Sequence, residues 1–156
     1  MTPLGVFHLS AATLALVAGA LVAWVPKGTP THAKLGWVYV GAMVGVNASA
    51  LAIYRAFGTF GPFHIAAIAS VVTLVAGTGP LFGRRVPGWV RPHARWMSGS
   101  YVGLLAAAAS EAFVRLPATP FWGAVVAGST LVSAVGVYVI RTRVAVAAER
   151  FAPRGR

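Results

Sequence analysis

The sequence predicts an all-α integral membrane protein with five transmembrane helices. Of its 156 residues, 58% are hydrophobic and only 10% are charged, and the mean hydropathy is +0.76. The apolar residues form five long runs separated by short groups of proline, glycine and basic residues. A helix needs about 20 apolar residues to cross a bilayer, so five helices use roughly 100 residues. We therefore expect a single transmembrane domain over residues 1–156 with no separate soluble domain.

The first two apolar runs predict helices over about residues 4–25 and 33–54. The first run is closed by Trp24 and Pro26, and the second ends at Arg55. A secretory signal peptide is not favoured as the explanation of the first run, because such signals begin with positive charge and have a shorter apolar core. Both runs are therefore expected to stay in the membrane.

The other three runs predict helices over about residues 63–82, 93–114 and 121–140. A loop rich in arginine, proline and glycine precedes the fourth run, and Arg115 and Pro117 close it. Long, uniformly apolar segments bounded by proline, glycine and charge are typical of helices in lipid. Residues 141–156 form a basic tail. Small residues four apart, at Gly41 and Gly45 and at Gly99 and Gly103, predict close helix packing.

The basic residues predict the orientation of the chain. Arg55 and Arg115 lie at one set of helix ends, and the other eleven basic residues lie at the opposite set: Lys27, Lys34, Arg84, Arg85, Arg91, Arg95, Arg141, Arg143, Arg150, Arg154 and Arg156. Because cytoplasmic loops are rich in lysine and arginine, we expect the N-terminus outside and the C-terminus in the cytoplasm. The net charge of +11 is thus explained by topology and by attraction to lipid headgroups, without nucleic acid.

A repeat relates the first four helices as two duplicated hairpins. Segments one and three share Gly-x-Phe-His, ending at His8 and His64, and segments two and four share His-Ala-Lys/Arg, beginning at His32 and His93. Because helix direction alternates, we expect His8 and His64 to face each other near the outer side. His32 and His93 are expected to do the same near the inner side.

Two opposed histidine pairs favour haem b, since a low-spin haem takes two axial imidazoles from opposite sides. The cations expected at the haem propionates are Arg55 and Arg115 on the outer side and Lys34 and Arg95 on the inner side. Membrane topology and snorkelling explain these cations equally well. The layout resembles the ascorbate-reducible b-type cytochromes in architecture only, and that resemblance implies electron transfer across the membrane.

A non-haem metal is the alternative. The chain has no cysteine and no aspartate, so thiolate chemistry is excluded. His8, His64 and Glu111 form a possible ligand set for an Fe, Zn or Cu ion, and Asn47, Ser110 and Tyr101 are possible neighbours. A salt bridge between Glu111 and Arg115, four residues later, explains the glutamate equally well.

Several motifs resemble one family. They are Lys27-Gly28-x-x-x-His32-x-x-x-Gly36-x-x-Tyr39-x-x-x-Met43, Phe63-His64, His93-x-x-Trp96-Met97-x-x-Ser100-Tyr101-x-Gly103 and Glu111-x-x-x-Arg115-x-Pro117. Together they resemble a bacterial membrane family described as domain of unknown function 2306. The resemblance implies a small multi-pass protein of the bacterial inner membrane, and it implies no established activity.

Three functions therefore remain open at the level of the sequence. The first is a transmembrane haem-b electron carrier with two bis-histidine sites. The second is a metal-binding membrane protein or enzyme with a His/His/Glu site. The third is an accessory subunit of a larger membrane complex, with membrane or redox proteins as partners.

Overall fold

The computed structural model describes residues 2–54, 58–82, 88–117, 120–144 and 147. All regular structure in these residues is helical, in the order α1 Pro3–Trp24, α2 Pro30–Ala52, α3 Pro62–Phe82, α4 Val90–Val114 and α5 Phe121–Val139. A π-helical turn, Ile140–Val144, continues α5. All five helices are long and apolar enough to cross a membrane, which confirms the predicted fold class.

Proline and threonine set where the first two helices begin. Pro3 and Pro30 occupy the first helical positions, where a missing N–H costs nothing. The preceding residues, Thr2 and Thr29, each accept a backbone N–H with the side-chain oxygen at 3.2 Å. Because the cap lies at Thr29, α2 begins three residues before the predicted start at 33.

A lysine closes the C-terminal end of α1. The Lys27 ammonium donates to the carbonyl oxygens of Val22, Ala23 and Val25 at 2.6, 2.8 and 3.1 Å. These carbonyls lack partners inside the helix, and a cation also suits the negative end of the helix dipole. Burial lowers the pKa of this ammonium below the usual lysine value.

The chain divides into two compact units, Met1–Val72 and Thr73–Arg156. In the first unit α1 packs antiparallel on α2, and a Cβ added at Gly45 would lie 3.4 Å from the Phe7 ring and 3.5 Å from the Ala11 side chain. Large apolar side chains on both helices are exposed, such as Val17 and Val44. In a membrane protein this apolar exterior faces lipid.

In the second unit α4 packs antiparallel on α5. A Cβ added at Gly128 would lie 2.9 Å from the backbone nitrogen of Ser110, and one at Gly136 would clash with the Val102 side chain. These two glycines let the helices approach closely. Of the predicted glycine pairs, Gly45 packs against α1, whereas a Cβ at Gly41, Gly99 or Gly103 meets no described atom within 4 Å.

Candidate functional site

His8 is held by a hydrogen bond that fixes its tautomer. Its Nδ1 atom lies 2.8 Å from the Ser49 hydroxyl oxygen on α2. That hydroxyl also lies 2.7 Å from the Gly45 carbonyl oxygen and 3.0 Å from the Val46 carbonyl oxygen. A carbonyl only accepts, so the single hydroxyl proton goes to one of these oxygens and Nδ1 of His8 must donate. In the neutral ring Nε2 then presents a lone pair.

His93 is fixed in the same tautomer by a different acceptor. Its Nδ1 atom lies 2.7 Å from the Gly77 carbonyl oxygen at the end of α3, so Nδ1 again carries the proton. α3 and α4 meet closely here, because a Cβ at Gly77 would lie 2.6 Å from the Met97 sulfur. Nε2 of the neutral His93 ring is therefore also a free lone pair.

His64 forms the opposite hydrogen bond. It is the third residue of α3, and its Nδ1 atom accepts the backbone N–H of Gly61 at 3.1 Å. A side chain at the third position that reaches back to the cap residue is the geometry of a capping box. The neutral ring then carries its proton on Nε2, so His64 has a structural role in beginning α3.

The surroundings of His64 nevertheless leave one polar atom unsatisfied. The residue is 3% exposed, and its ring lies 4.5 Å from the Tyr54 ring and 4.9 Å from the Phe60 ring, measured between centroids. Nε2 is buried and has no hydrogen-bond partner among the described residues. This Nε2–H donor carries a desolvation cost that a bound acceptor would relieve.

Two of the histidines share one end of α2. His8 contacts Ser49, three residues before α2 ends, and His64 packs on Tyr54, two residues after it ends. His32 is the third residue of α2, at the other end of that helix, and its backbone N–H is bound by Thr29. The pairing of His8 with His64, and of His32 with His93, stays a prediction.

The predicted cations have different surroundings. Lys34 and Arg95 are exposed. Arg115 donates to a carboxylate oxygen of Glu111 at 2.6 Å and to its carbonyl oxygen at 2.8 Å. Arg55 lies outside the described residues. These surroundings do not assign any of the four cations to a haem propionate, so that role stays a prediction.

The alternative metal site finds no support in this arrangement. The side chains of Arg115 and Glu111 form an exposed ion pair, at 68% and 65% relative exposure, as the sequence spacing predicts. Within the described residues, no three of histidine, cysteine, aspartate and glutamate are grouped so that they could hold a metal ion. The ligand set of His8, His64 and Glu111 stays a prediction.

Buried polar groups accompany the histidines in both units. Asn47 on α2 is 4% exposed, and its amide nitrogen has no hydrogen-bond partner among the described residues. In the second unit the Ser110 hydroxyl lies 2.8 Å from the Ala106 carbonyl oxygen and 3.3 Å from the Ser129 hydroxyl. The role of Ser49 was missed at the level of the sequence. Its only signal there is a hydroxyl four residues after Gly45 in an apolar run.

The five long apolar helices define a small, multi-pass membrane protein. The chain belongs to the family described as "Predicted membrane protein (DUF2306)", which matches residues 5–148. The membership that the sequence motifs predicted is thereby confirmed. No curated protein and no solved structure gives a significant match.

Proposed function

We propose that this protein binds haem b through its span histidines and transfers electrons within the membrane. The observation that supports this most is the hydrogen bonding of His8 and His93. Each donates Nδ1–H to an oxygen and leaves the Nε2 lone pair available. Histidines that bind metals through Nε2 almost always donate their other ring N–H in this way.

In each predicted pair, one histidine therefore already has the tautomer that ligation through Nε2 requires. His8 belongs to the pair with His64, and His93 to the pair with His32. Hydrogen bonding to an oxygen orients the ring and raises the basicity of the ligating nitrogen. Haem b, when bound, would supply the one-electron redox chemistry that the chain itself lacks.

His64 must change its hydrogen bonding to serve as the second ligand. To hold the iron through Nε2, the neutral His64 ring would carry its proton on Nδ1, and Nδ1 would then no longer accept the Gly61 N–H. The burial of the unsatisfied Nε2 atom favours such an exchange.

Haem titration into the purified protein tests this proposal. We expect saturable binding of about two haems per chain, one for each pair of axial imidazoles. Replacement of His8 or His93 by alanine should lower the bound haem, while the helical circular dichroism stays as in the wild type. Thr13→Ala is a control on the same helix as His8, since the hydroxyl of Thr13 donates to the Leu9 carbonyl within α1.

The same titration has outcomes that contradict the proposal. Haem that binds without saturation, or equally well to all four histidine variants, would show nonspecific partition into an apolar protein. A folded protein that binds no haem and purifies with a second membrane protein would favour the accessory-subunit function instead.

A further inference from the structure

We infer that the arginines at one end of the second unit attract anionic phospholipids, and that Arg95 and Arg143 among them form a binding site for the phosphate group of one such lipid. The arginine cluster consists of Arg91 and Arg95 on α4 and of Arg141 and Arg143 on the π-helical turn. All four side chains are exposed. This inference is independent of the proposed haem function.

The register of α4 against α5 brings Arg95 and Arg143 to the same height along the helix axes. Gly128 lies against Ser110 and Gly136 against Val102, so the antiparallel helices advance in step over this stretch. Arg143 lies seven residues beyond Gly136, and Arg95 lies seven residues before Val102. The π-helical turn packs on α4, which keeps Arg143 and Arg95 at neighbouring heights.

The arginine cluster has no carboxylate to neutralise it in the part of the chain that is described. Glu111 is the one acidic residue there, and it lies sixteen residues beyond Arg95 on α4, or roughly 24 Å along the helix. Glu111 is already paired with Arg115. Glu149, the other acidic residue of the chain, lies outside the described residues. Among the described residues the arginine cluster carries an excess of positive charge, which attracts anionic lipid headgroups.

Aromatic residues place this end of α4 at the depth of the lipid headgroups. Trp89 precedes α4, and Trp96 on α4 is exposed and directly follows Arg95. Tryptophan concentrates at the interface between hydrocarbon and water. The arginine cluster thus lies where phospholipid phosphates lie.

The residue type and the position of these arginines favour specific binding of phosphate over a role only in orienting the protein in the membrane. Charge in a loop is enough to orient a membrane protein, but Arg95 and Arg143 lie within helical turns, and their backbones are held in place. The planar guanidinium binds phosphate oxygens through paired N–H groups. Two such groups at one level suit a single phosphate.

The test is binding of phosphatidylglycerol to the full-length protein in neutral detergent, followed by native mass spectrometry and thermal unfolding. We expect bound phosphatidylglycerol and a raised unfolding temperature, and little effect of phosphatidylcholine. R141Q/R143Q should weaken phosphatidylglycerol binding about tenfold or more, because each arginine adds to the attraction of an anionic lipid surface. Arg143→Lys, which keeps the charge but loses the paired donors, should weaken it less.

R150Q/R154Q is the matched control, since it removes the same charge from the basic tail. This control should bind phosphatidylglycerol nearly as the wild type does. Equal weakening in both double variants would overturn the inference, because net charge alone would then explain binding. Equal stabilisation by phosphatidylcholine, or full stabilisation by inorganic phosphate alone, would overturn the assignment to an anionic lipid.

Discussion

The position of one proton on each histidine ring decides what that histidine can do. Sequence alone identified all four histidines as candidates, because ionisable groups are rare in transmembrane helices. It could not identify the tautomers, since these depend on atoms that the fold brings near. Ser49 is 41 residues from His8, and Gly77 contributes a backbone oxygen that no residue type reveals.

Removing the Ser49 hydroxyl should release the His8 ring. In Ser49→Ala the Nδ1 proton has no acceptor at 2.8 Å, so the neutral ring should populate both tautomers. Nitrogen NMR of labelled histidine should show the change, and haem affinity should fall about 10–100-fold, the usual effect of losing a hydrogen bond to a metal ligand. Unchanged nitrogen shifts would contradict the assigned tautomer.

Two substitutions at His64 separate capping from ligation. Glutamine at the third helical position can also accept the N–H of the cap residue, so His64→Gln should keep nearly the wild-type stability and lose the haem of the His8–His64 pair. His64→Ala should lose both, with a stability cost of about 0.5–2 kcal/mol, typical for a lost cap. Thermal unfolding and haem content measure the two effects. Full haem content in His64→Gln would exclude His64 as a ligand.

At the scale of helices, sequence predicted the five spans well and their ends less well. The apolar runs identify the spans because lipid demands continuous backbone hydrogen bonding. The ends are set by local chemistry, as at Pro30 after the Thr29 cap. Of the four glycines predicted to pack closely, Gly45 does so and Gly41, Gly99 and Gly103 do not. The closest approaches are instead at Gly128 and Gly136, because glycine spacing does not tell which helix face meets a neighbour.

Glycines at the helix contact and glycines that meet open space should respond differently to replacement by alanine. Gly128→Ala places a methyl group 2.9 Å from the Ser110 backbone nitrogen, where the backbone cannot give way. We expect a loss of about 1–3 kcal/mol in stability, as in other overpacked sites. Gly103→Ala, whose methyl group meets open space, should be neutral or slightly stabilising. Chemical unfolding in mild detergent should separate them, and equal stability of the two variants would contradict the observed register.

For the molecule as a whole, composition predicted the membrane class, and the motifs predicted the family. The pairing of histidines and the orientation in the membrane remain predictions, because both depend on arrangements that hydropathy does not encode. The orientation rests on the unequal distribution of basic residues. It can be tested without reference to any cofactor.

Single cysteines report the orientation cleanly, because the chain has none of its own. Thr59→Cys, in the segment between α2 and α3, should react with a membrane-impermeant maleimide in intact cells. Arg150→Cys, in the basic tail, should react only after the membrane is opened, since basic segments stay in the cytoplasm. The reverse pattern would mean that the N-terminus is inside.

The absorption spectrum of the purified protein, expressed with ample haem and recorded oxidised and reduced, tests the central claim most directly. We predict a Soret band and a sharp α band on reduction, both diminished in His8→Ala and His93→Ala. A folded protein without either band would contradict haem binding and leave only the membrane fold and its lipid contacts.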